Sequence, residues 1–223
     1  MDHSIDKVAV LGAGTMGAQI AGHFSNAGIP SLLFDINTEL ATKGVETLTA
    51  LRPAPLYTPK NTDLIDACTY DKDLEKIKDV DLVIEAVAEN LDIKHSVYKS
   101  IIPHLRDDVI ISSNTSGIPL SDLIDVFPEK LKSRFLITHF FNPPRYMRLL
   151  ELVKGSQTDE KVYKMLETIG ENVLGKGIVH AKDTPNFIGN RIGVHGANNA
   201  IKLAIEMGLS VEEVDKLTGT LVG

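Results

Sequence analysis

The sequence predicts an α/β fold, with a doubly wound and mostly parallel sheet followed by an incomplete all-α second domain. Short apolar runs alternate with helical patterns from the N-terminus to about Ala181, which is typical of βαβ units. A glycine-rich turn joins the first predicted strand to the first predicted helix. From Asp183 onward the pattern is only helical. We therefore expect two domains, residues 1–182 and residues 183–223.

Apolar periodicity places each element in order along the chain. Strands are predicted over residues 7–11, 30–34, 81–86, 109–112, 135–139, 149–153 and 177–181. Helices are predicted near residues 16–26, 38–51, 93–105 and 159–174. In the second domain we expect a helix over 185–207, with Thr184 as N-cap and Pro185 at its first position, and the start of another over 210–217. Because two helices rarely close a core, we expect a fragment of a longer protein, cut inside its helical domain.

Composition and charge exclude several classes of protein. The 223 residues include 23 Lys and Arg against 30 Asp and Glu, a net charge of -7 without a basic stripe, which argues against nucleic acid as a partner. Cys68 is the only cysteine, so no intrachain disulfide can form and a reducing compartment is indicated. No apolar run approaches the roughly 20 residues that span a bilayer, and the N-terminus lacks the bases of a secretory signal. We expect a cytoplasmic protein without a membrane partner.

The strongest local motif is GAGTMG at residues 12–17, between a strand and a helix. Its first glycine permits the tight turn, its second lets the backbone approach a pyrophosphate, and its third lets the helix pack closely on the strand. The amides at the helix N-terminus can bind the same anion. The predicted cofactor contacts of this turn are Gly12, Gly14, Thr15, Met16 and Gly17.

An acidic residue ends the second predicted strand. Asp35 lies at the distance from the glycine turn at which dinucleotide-binding folds bind the ribose hydroxyls. The following Ile36-Asn37-Thr38 contains no Arg for a 2'-phosphate, so NAD is favoured over NADP. Together these residues predict a Rossmann-type NAD site. The alternative is a glycine-rich turn with a surface aspartate.

A histidine ends the strand predicted over residues 135–139. In open α/β sheets the ligand binds outside this end of the strands, and His139 could take a proton from an alcohol as hydride leaves for NAD. A carboxylate on its other ring nitrogen would fix the tautomer, and Glu151 follows twelve residues later. From the residues alone, a catalytic and a structural histidine both remain open.

Short polar side chains follow the strand over residues 109–112, as Ser112-Ser113-Asn114-Thr115-Ser116. They could hold a substrate oxygen or cap the helix that begins near Leu120, and capping is the default expectation. The other histidines show no metal-binding spacing, so we predict no metal.

The glycine spacing at residues 170–177 partly matches the motif of a phosphate-binding loop. The segment GENVLGKG lacks the Ser or Thr of that loop after Lys176 and follows a helix instead of a strand. It is interpreted as a glycine turn at a helix C-terminus.

Taken together, the motifs resemble the L-3-hydroxyacyl-CoA dehydrogenase family of fatty-acid β-oxidation. The resemblance covers the whole chain, with GAGTMG, EAVAENLDIK, SSNTSG, THFFNPP with LLELV, and AKDTPNFIGNR in the family's order. It implies NAD-dependent oxidation of an L-3-hydroxyacyl-CoA to a 3-ketoacyl-CoA, with His139 as catalytic base and Glu151 as its partner. It also implies an acyl-CoA substrate and a homodimer formed through the helical domain.

The resemblance assigns further roles to matching positions. Ser116, Asn142 and Asn190 are similar to the residues that position the substrate oxygen and the nicotinamide. Glu89, Lys94 and Asn114 look like cofactor contacts, with Lys94 also near the CoA side.

The chain departs from simpler family members after the first βαβ unit. Those members have a long lysine-rich helical hairpin that helps to grip CoA, whereas residues 51–61 read LRPAPLYTPKN, and three prolines forbid a continuous helix. This segment and HFFNPPRYMRLLE look more like multifunctional β-oxidation proteins in which an enoyl-CoA hydratase follows the dehydrogenase. Arg145 and Tyr146 replace small apolar residues, so they are expected either to reshape the acyl entrance or to lie exposed on the surface.

Three alternative functions remain open. A related hydroxyacid dehydrogenase would use a catalytic lysine and lack HFFNP. A structural protein similar to a lens crystallin is disfavoured because His139 and Glu151 are both present. A truncated module could bind NAD without turnover.

Overall fold

Eight strands form one sheet in the computed structural model of the chain, which describes residues 5–219. Their order is β3-β2-β1-β4-β5-β6-β7-β8, and neighbouring strands are parallel except β6 and β7. The strands are β1 (Val8–Leu11), β2 (Ser31–Asp35), β3 (Ile65–Thr69), β4 (Leu82–Glu85), β5 (Ile110–Ser113), β6 (Phe135–Phe140), β7 (Leu149–Val153) and β8 (Gly177–Ala181). The predicted doubly wound, mostly parallel sheet is confirmed.

The central strands β1, β4 and β5 are buried along their whole length. Their short apolar runs are typical of parallel strands that are covered on both faces. Phe24 of α1 and an aromatic group of Tyr98, Phe127 and Phe135 fill the layers beside the sheet. The carboxyl ends of β1 to β6, which run parallel, lie at one edge of the sheet.

Eight α-helices lie in the described part of the chain. They are α1 (Thr15–Asn26), α2 (Thr38–Ala50), α3 (Leu91–Ile101), α4 (Leu120–Leu123), α5 (Glu129–Lys132), α6 (Glu160–Asn172), α7 (Gly189–Met207) and α8 (Val211–Thr218). Short 3-10 helices cover Pro59–Leu64, Leu74–Asp79, Ile102–His104 and Ile124–Val126. The Asn37 and Asn90 side chains cap α2 and α3, because an Asn oxygen can accept from the first free amides of a helix. None of the described helices is long and apolar enough to cross a membrane.

The chain divides into two compact units, one up to Pro185 and one from Asn186 onward. The domain boundary expected between residues 182 and 183 stays a prediction. In the second unit α7 begins at Gly189, so the expected N-cap Thr184 and first helical residue Pro185 are wrong. The reason is local: Asn186 and Phe187 have φ values of 64° and 46°, and left-handed residues cannot continue a right-handed helix.

The edge strand β3 is a second difference from the prediction. It pairs with β2 over Ile65–Thr69, but Asp66 and Ala67 are exposed. An edge strand buries only part of its residues, so IDACT shows neither an apolar run nor a clear alternation. The segment before it, residues 51–58, has no regular structure, as its prolines predict.

Gly175 lies between α6 and β8 with a φ of 66°. A glycine in this left-handed conformation commonly ends a helix. The interpretation of residues 170–177 as a glycine turn after a helix is confirmed.

Candidate functional site

The glycine turn after β1 forms a cradle open to the outside. Gly12 has a φ of 101°, and a Cβ there would lie 2.8 Å from the Ala86 carbonyl oxygen. A Cβ on Gly17 would lie 1.8 Å from the Gly12 carbonyl oxygen, so α1 packs directly on the turn. By contrast, a Cβ on Gly14 would meet nothing within 4 Å. Gly14 is also the N-cap of α1 and supplies no side-chain cap.

This open space fits a pyrophosphate. The first-turn amides of α1, at Thr15 and Met16, lie at the positive end of the helix dipole. A cavity of about 280 Å³ adjoins the turn, and its walls include Ala13, Gly14, Thr15 and Asp35. Three residues that the sequence assigns to NAD, Gly14, Thr15 and Asp35, therefore line one accessible cleft.

Asp35 ends β2 beside the glycine turn. Its Oδ2 accepts from the Ala13 N–H at 2.7 Å and its Oδ1 accepts from the Ile36 N–H at 2.7 Å. The carboxylate thus fixes the turn, a role that the sequence did not predict. Because each carboxylate oxygen can accept more than one hydrogen bond, ribose hydroxyls can still be bound at Asp35.

The antiparallel pairing of β6 with β7 places a carboxylate against the histidine. His139 and Glu151 are direct cross-strand partners, and His139 Nδ1 lies 2.7 Å from Glu151 Oε2. Their exposed fractions are 4% and 0%. Directly opposed residues of a strand pair have adjacent side chains, so the twelve-residue separation follows from the register across residues 141–148.

The other ring nitrogen of His139 faces a serine hydroxyl. His139 Nε2 lies 3.3 Å from Ser116 Oγ, and the Phe141 ring stands edge-on to the imidazole, with a centroid distance of 4.5 Å. A neutral imidazole that donates from Nδ1 to Glu151 has its lone pair on Nε2. His139 therefore contacts Ser116 on one side and Glu151 on the other, and its acceptor nitrogen Nε2 faces the Ser116 hydroxyl.

Glu89 holds the turn that carries Ser116. Its Oε1 accepts from Thr115 Oγ1 at 2.5 Å and from the Ser116 N–H at 2.9 Å. Burial acts to raise the pKa of Glu89, but the Thr115 hydroxyl, the Lys94 ammonium and the Ser116 amide outweigh it and lower that pKa. The turn is thus tied to an ionised carboxylate.

The polar cluster at residues 112–116 does not cap the helix that follows it. The N-cap of α4 is Pro119, and the Leu120 N–H donates to the Asp183 carboxylate at 3.1 Å to each oxygen. The capping expected from the sequence is therefore wrong, because an acid far along the chain satisfies this amide. Asn114 instead accepts from the Phe140 N–H at 2.9 Å, so it links the ends of β5 and β6.

Lys94 lies beneath this turn and is only 1% exposed. Its ammonium lies 2.7 Å from Glu85 Oε1 and 3.2 Å from Glu89 Oε2. The predicted direct contacts of Lys94 with the cofactor and with CoA therefore differ from the structure, which presents no exposed ammonium here. Buried charges need such partners, and Lys94 supports Glu89 from below.

Glu85 is a buried acid that the sequence did not single out. It ends β4 with no exposed surface. Its Oε2 accepts from the Tyr98 hydroxyl at 2.8 Å and from Ser113 Oγ at 2.6 Å, and its Oε1 faces Lys94. The sequence does contain a sign of this residue, because an acid ends the apolar run LVIE. A charge in a buried strand needs partners.

Asn142 is exposed and lies two residues after β6. Its Oδ1 accepts from Gln19 Nε2 at 3.1 Å. Asn190 lies in the first turn of α7, in the second unit. The other predicted site residues of the first unit lie at or just after the carboxyl ends of β1, β2, β4, β5 and β6, except Lys94, which lies in α3, and Glu151, which lies within β7.

Tyr146 is exposed, as one of the two expectations had it, whereas Arg145 is half-buried. Arg145 Nη1 donates to the carbonyl oxygens of Ala54 and Leu56 at 2.6 and 2.7 Å, and its guanidinium lies 4.6 Å from the Tyr57 ring centroid. The Tyr146 hydroxyl donates to the Ala54 carbonyl at 3.0 Å, although the residue is exposed. Backbone carbonyl groups outside helices and sheets need other hydrogen-bond donors. Arg145 and Tyr146 supply them, and so they fix the irregular segment before β3.

Metal-ligand types are not clustered in the part of the chain that the structure describes. No three His, Cys, Asp or Glu side chains of residues 5–219 are grouped so that they could hold a metal ion.

Known proteins share this arrangement of elements. The family model described as "3-hydroxyacyl-CoA dehydrogenase, NAD binding domain" matches residues 7–184. A "Probable 3-hydroxyacyl-CoA dehydrogenase" of Bacillus subtilis is 41% identical over 100% of this chain and 31% of its own length. A "Putative fatty acid oxidation complex trifunctional enzyme" of Rickettsia felis is 40% identical over 100% of this chain and 32% of its own. The chain thus spans about a third of the length of these two relatives.

A solved structure is similar as well. The (S)-3-hydroxybutyryl-CoA dehydrogenase of Ralstonia eutropha superposes with a TM-score of 0.84 at 34% identity. The match covers 97% of this chain and 77% of that one.

Proposed function

The chain belongs to the 3-hydroxyacyl-CoA dehydrogenase family, and from this premise we propose that it oxidises L-3-hydroxyacyl-CoA to 3-ketoacyl-CoA with NAD. The observation that carries the proposal is the buried pair of His139 and Glu151. The other ring nitrogen of His139, Nε2, faces the Ser116 hydroxyl. The pair stands at the same edge of the sheet as the glycine cradle. A proton acceptor and a dinucleotide cleft at one edge are what alcohol oxidation requires.

His139 would accept the proton in this reaction. NAD, when bound, accepts the hydride that leaves C3 of the substrate. His139 Nε2 removes the proton of the C3 hydroxyl, since Nδ1 is engaged with Glu151. The Glu151 carboxylate holds the imidazole in the required tautomer and stabilises the imidazolium that forms.

Ser116 and Asn142 would position the C3 oxygen. Ser116 Oγ already lies near His139 Nε2, where the substrate hydroxyl would bind. In the reverse reaction negative charge develops on this oxygen, and donors fixed in advance stabilise it. The role of Asn190 in positioning substrate or nicotinamide stays a prediction.

The glycine cradle and Asp35 would hold the pyrophosphate and ribose of NAD. Glu89 is proposed to contact the nicotinamide half of NAD, because its carboxylate is hydrogen-bonded to the Ser116 N–H and its side chain is 44% exposed. Lys94 acts through Glu89, and Asn114 through the backbone of Phe140.

Partners follow from the names of the relatives. Because one relative is a fatty acid oxidation complex trifunctional enzyme, we propose a role in β-oxidation and a neighbouring enoyl-CoA hydratase domain. The homodimer through the helical domain and the cytoplasmic location stay predictions.

The experiment that tests this function compares substrates. NADH oxidation is measured with acetoacetyl-CoA and with free acetoacetate, on this chain and on any longer natural protein that contains it. We expect turnover with the CoA ester and none with the free acid, which separates this function from that of a hydroxyacid dehydrogenase. If even the longer protein binds NADH but oxidises it with no acyl-CoA, the enzymatic function is wrong and a structural role replaces it.

A further inference from the structure

The loop after β6, residues 141–148, is held through its backbone by a buried cation. Lys176 is 5% exposed, and its Nζ donates to the carbonyl oxygens of Pro144 and Met147, the latter at 3.0 Å. Arg145 of the same loop is bonded to the segment at residues 54–56. Because these contacts lie directly after Asn142, they fix the backbone from which its side chain projects.

One further contact fixes the side chain of Asn142 itself. Gln19 lies in the second turn of α1, the helix that begins at the glycine cradle, and is 6% exposed. Its Nε2 donates to Asn142 Oδ1 at 3.1 Å. The bond joins residues 123 positions apart. A residue of α1 therefore determines the orientation of the exposed Asn142 side-chain amide.

The orientation of this amide decides its chemistry. A side-chain amide has an acceptor oxygen at one end and an NH2 donor at the other. With Oδ1 bound to Gln19, the Nδ2 group of Asn142 is left to donate elsewhere. The C3 oxygen of the substrate needs donors in the transition state, whereas a reversed amide would present an oxygen to it.

We propose that Gln19 is a positioning residue, which holds Asn142 with its NH2 group turned toward the C3 oxygen of the acyl-CoA. The inference rests on the proposed dehydrogenase function. Gln19 acts through Asn142 and does not itself touch the substrate.

Two substitutions of similar size separate this role from simple packing. In Gln19→Glu the ionised carboxylate can only accept, so Asn142 must reverse and donate its NH2 group to it. In Gln19→Met no strong hydrogen bond forms, and Asn142 can take both orientations. Because burial raises the pKa of a carboxyl, kcat with acetoacetyl-CoA is measured from about pH 6 to about pH 9. Where the new carboxyl is ionised, kcat should fall on the order of 100-fold in Gln19→Glu, against about 10-fold or less in Gln19→Met at every pH.

The KM for NADH should stay within about twofold in both variants. A carboxylate at this buried position can also destabilise the fold, so thermal unfolding of both variants is followed, and a loss of kcat counts for positioning only where the variant is fully folded at the assay temperature. Asn142→Asp, which removes the donor, should lose as much as Gln19→Glu. Gln19→Met combined with Asn142→Asp should lose little more than Asn142→Asp alone, because the orientation of the amide no longer matters once its NH2 donor is removed.

A second measurement does not depend on turnover. Side-chain NH2 signals of Gln19 and Asn142 are assigned by NMR from the variants, and their hydrogen exchange is followed. We expect slow exchange at Gln19 and fast exchange at Asn142 in the parent chain, and slow exchange at Asn142 in Gln19→Glu.

Unchanged exchange at Asn142 in Gln19→Glu, or an equal loss of kcat in Gln19→Met, would overturn the proposal. If the parent protein turns over no acyl-CoA, the dehydrogenase function fails, and the exchange measurement alone then decides whether Gln19 orients Asn142.

Discussion

His23 is a histidine that folding keeps neutral. It lies on α1 and is 4% exposed, and its Nε2 is 3.1 Å from the Leu174 carbonyl oxygen, to which the neutral ring can donate. Burial lowers the pKa of His23 from 6.5 to about 4, and the positive charges of Lys176 and Arg145 lower it further against the opposing effect of the Leu174 bond. The protonated ring is therefore disfavoured in the native state.

This residue predicts a pH dependence of stability. Between pH 6.5 and about pH 4 the unfolded chain carries more protons at His23 than the native chain, so the free energy of unfolding falls as the pH falls through this window. The contribution is up to about 3 kcal/mol. In His23→Gln, which keeps an N–H donor, urea unfolding between pH 7 and pH 4 should show a shallower loss of stability. Parallel curves for the two proteins would contradict the prediction.

Residue types at strand ends could be predicted from the sequence, but their contacts could not. His139 stands out because it ends an apolar strand, and Glu151 was paired with it through the family resemblance. Glu85 also ends an apolar run, but its partners lie on other elements, so its contacts could not be predicted. Gln19 gave no signal in the sequence, because its partner Asn142 is far along the chain. Lys94 was misjudged for the same reason: only the folded chain shows that two carboxylates enclose its ammonium.

The turn from β1 into α1 has two glycines with different tasks. Gly17 permits close packing on the turn, whereas the space beside Gly14 is open. In Gly17→Ala the Cβ would meet the Gly12 carbonyl oxygen, so we expect a loss of about 1–3 kcal/mol of stability together with weaker NADH binding.

The matched variant is Gly14→Ala. The φ of Gly14 is -67°, which alanine adopts without strain, so thermal stability should match the parent chain. NADH binding, followed by fluorescence titration, should still weaken because the new methyl group occupies the space for the pyrophosphate. Unchanged NADH affinity in Gly14→Ala would place the pyrophosphate elsewhere.

Elements with strong apolar runs were predicted to within a few residues, and the exceptions have local causes. β3 is an edge strand with two exposed residues at its centre, so its pattern is weak. The start of α7 was misplaced because Thr184-Pro185 is a common helix start, while the left-handed Asn186 and Phe187 that delay it leave no compositional sign.

At the scale of the whole molecule, alternation of strands and helices was enough to predict the class of the sheet. It did not predict that β6 and β7 would be antiparallel. That reversal matters most, because it sets Glu151 opposite His139 within the sheet. The proposed active site thus depends on a pairing between strands that periodicity cannot specify, since register is a property of the assembled sheet.

The central claim is that this pair transfers the proton during hydride transfer. The most direct test compares single-turnover NADH oxidation by acetoacetyl-CoA in the natural protein, in His139→Gln and in Glu151→Gln, with NADH affinity measured alongside. We predict that the rate falls about 100-fold or more in each variant while NADH binds as before. Turnover in His139→Gln at the parent rate would contradict the account, because another group would then carry the proton.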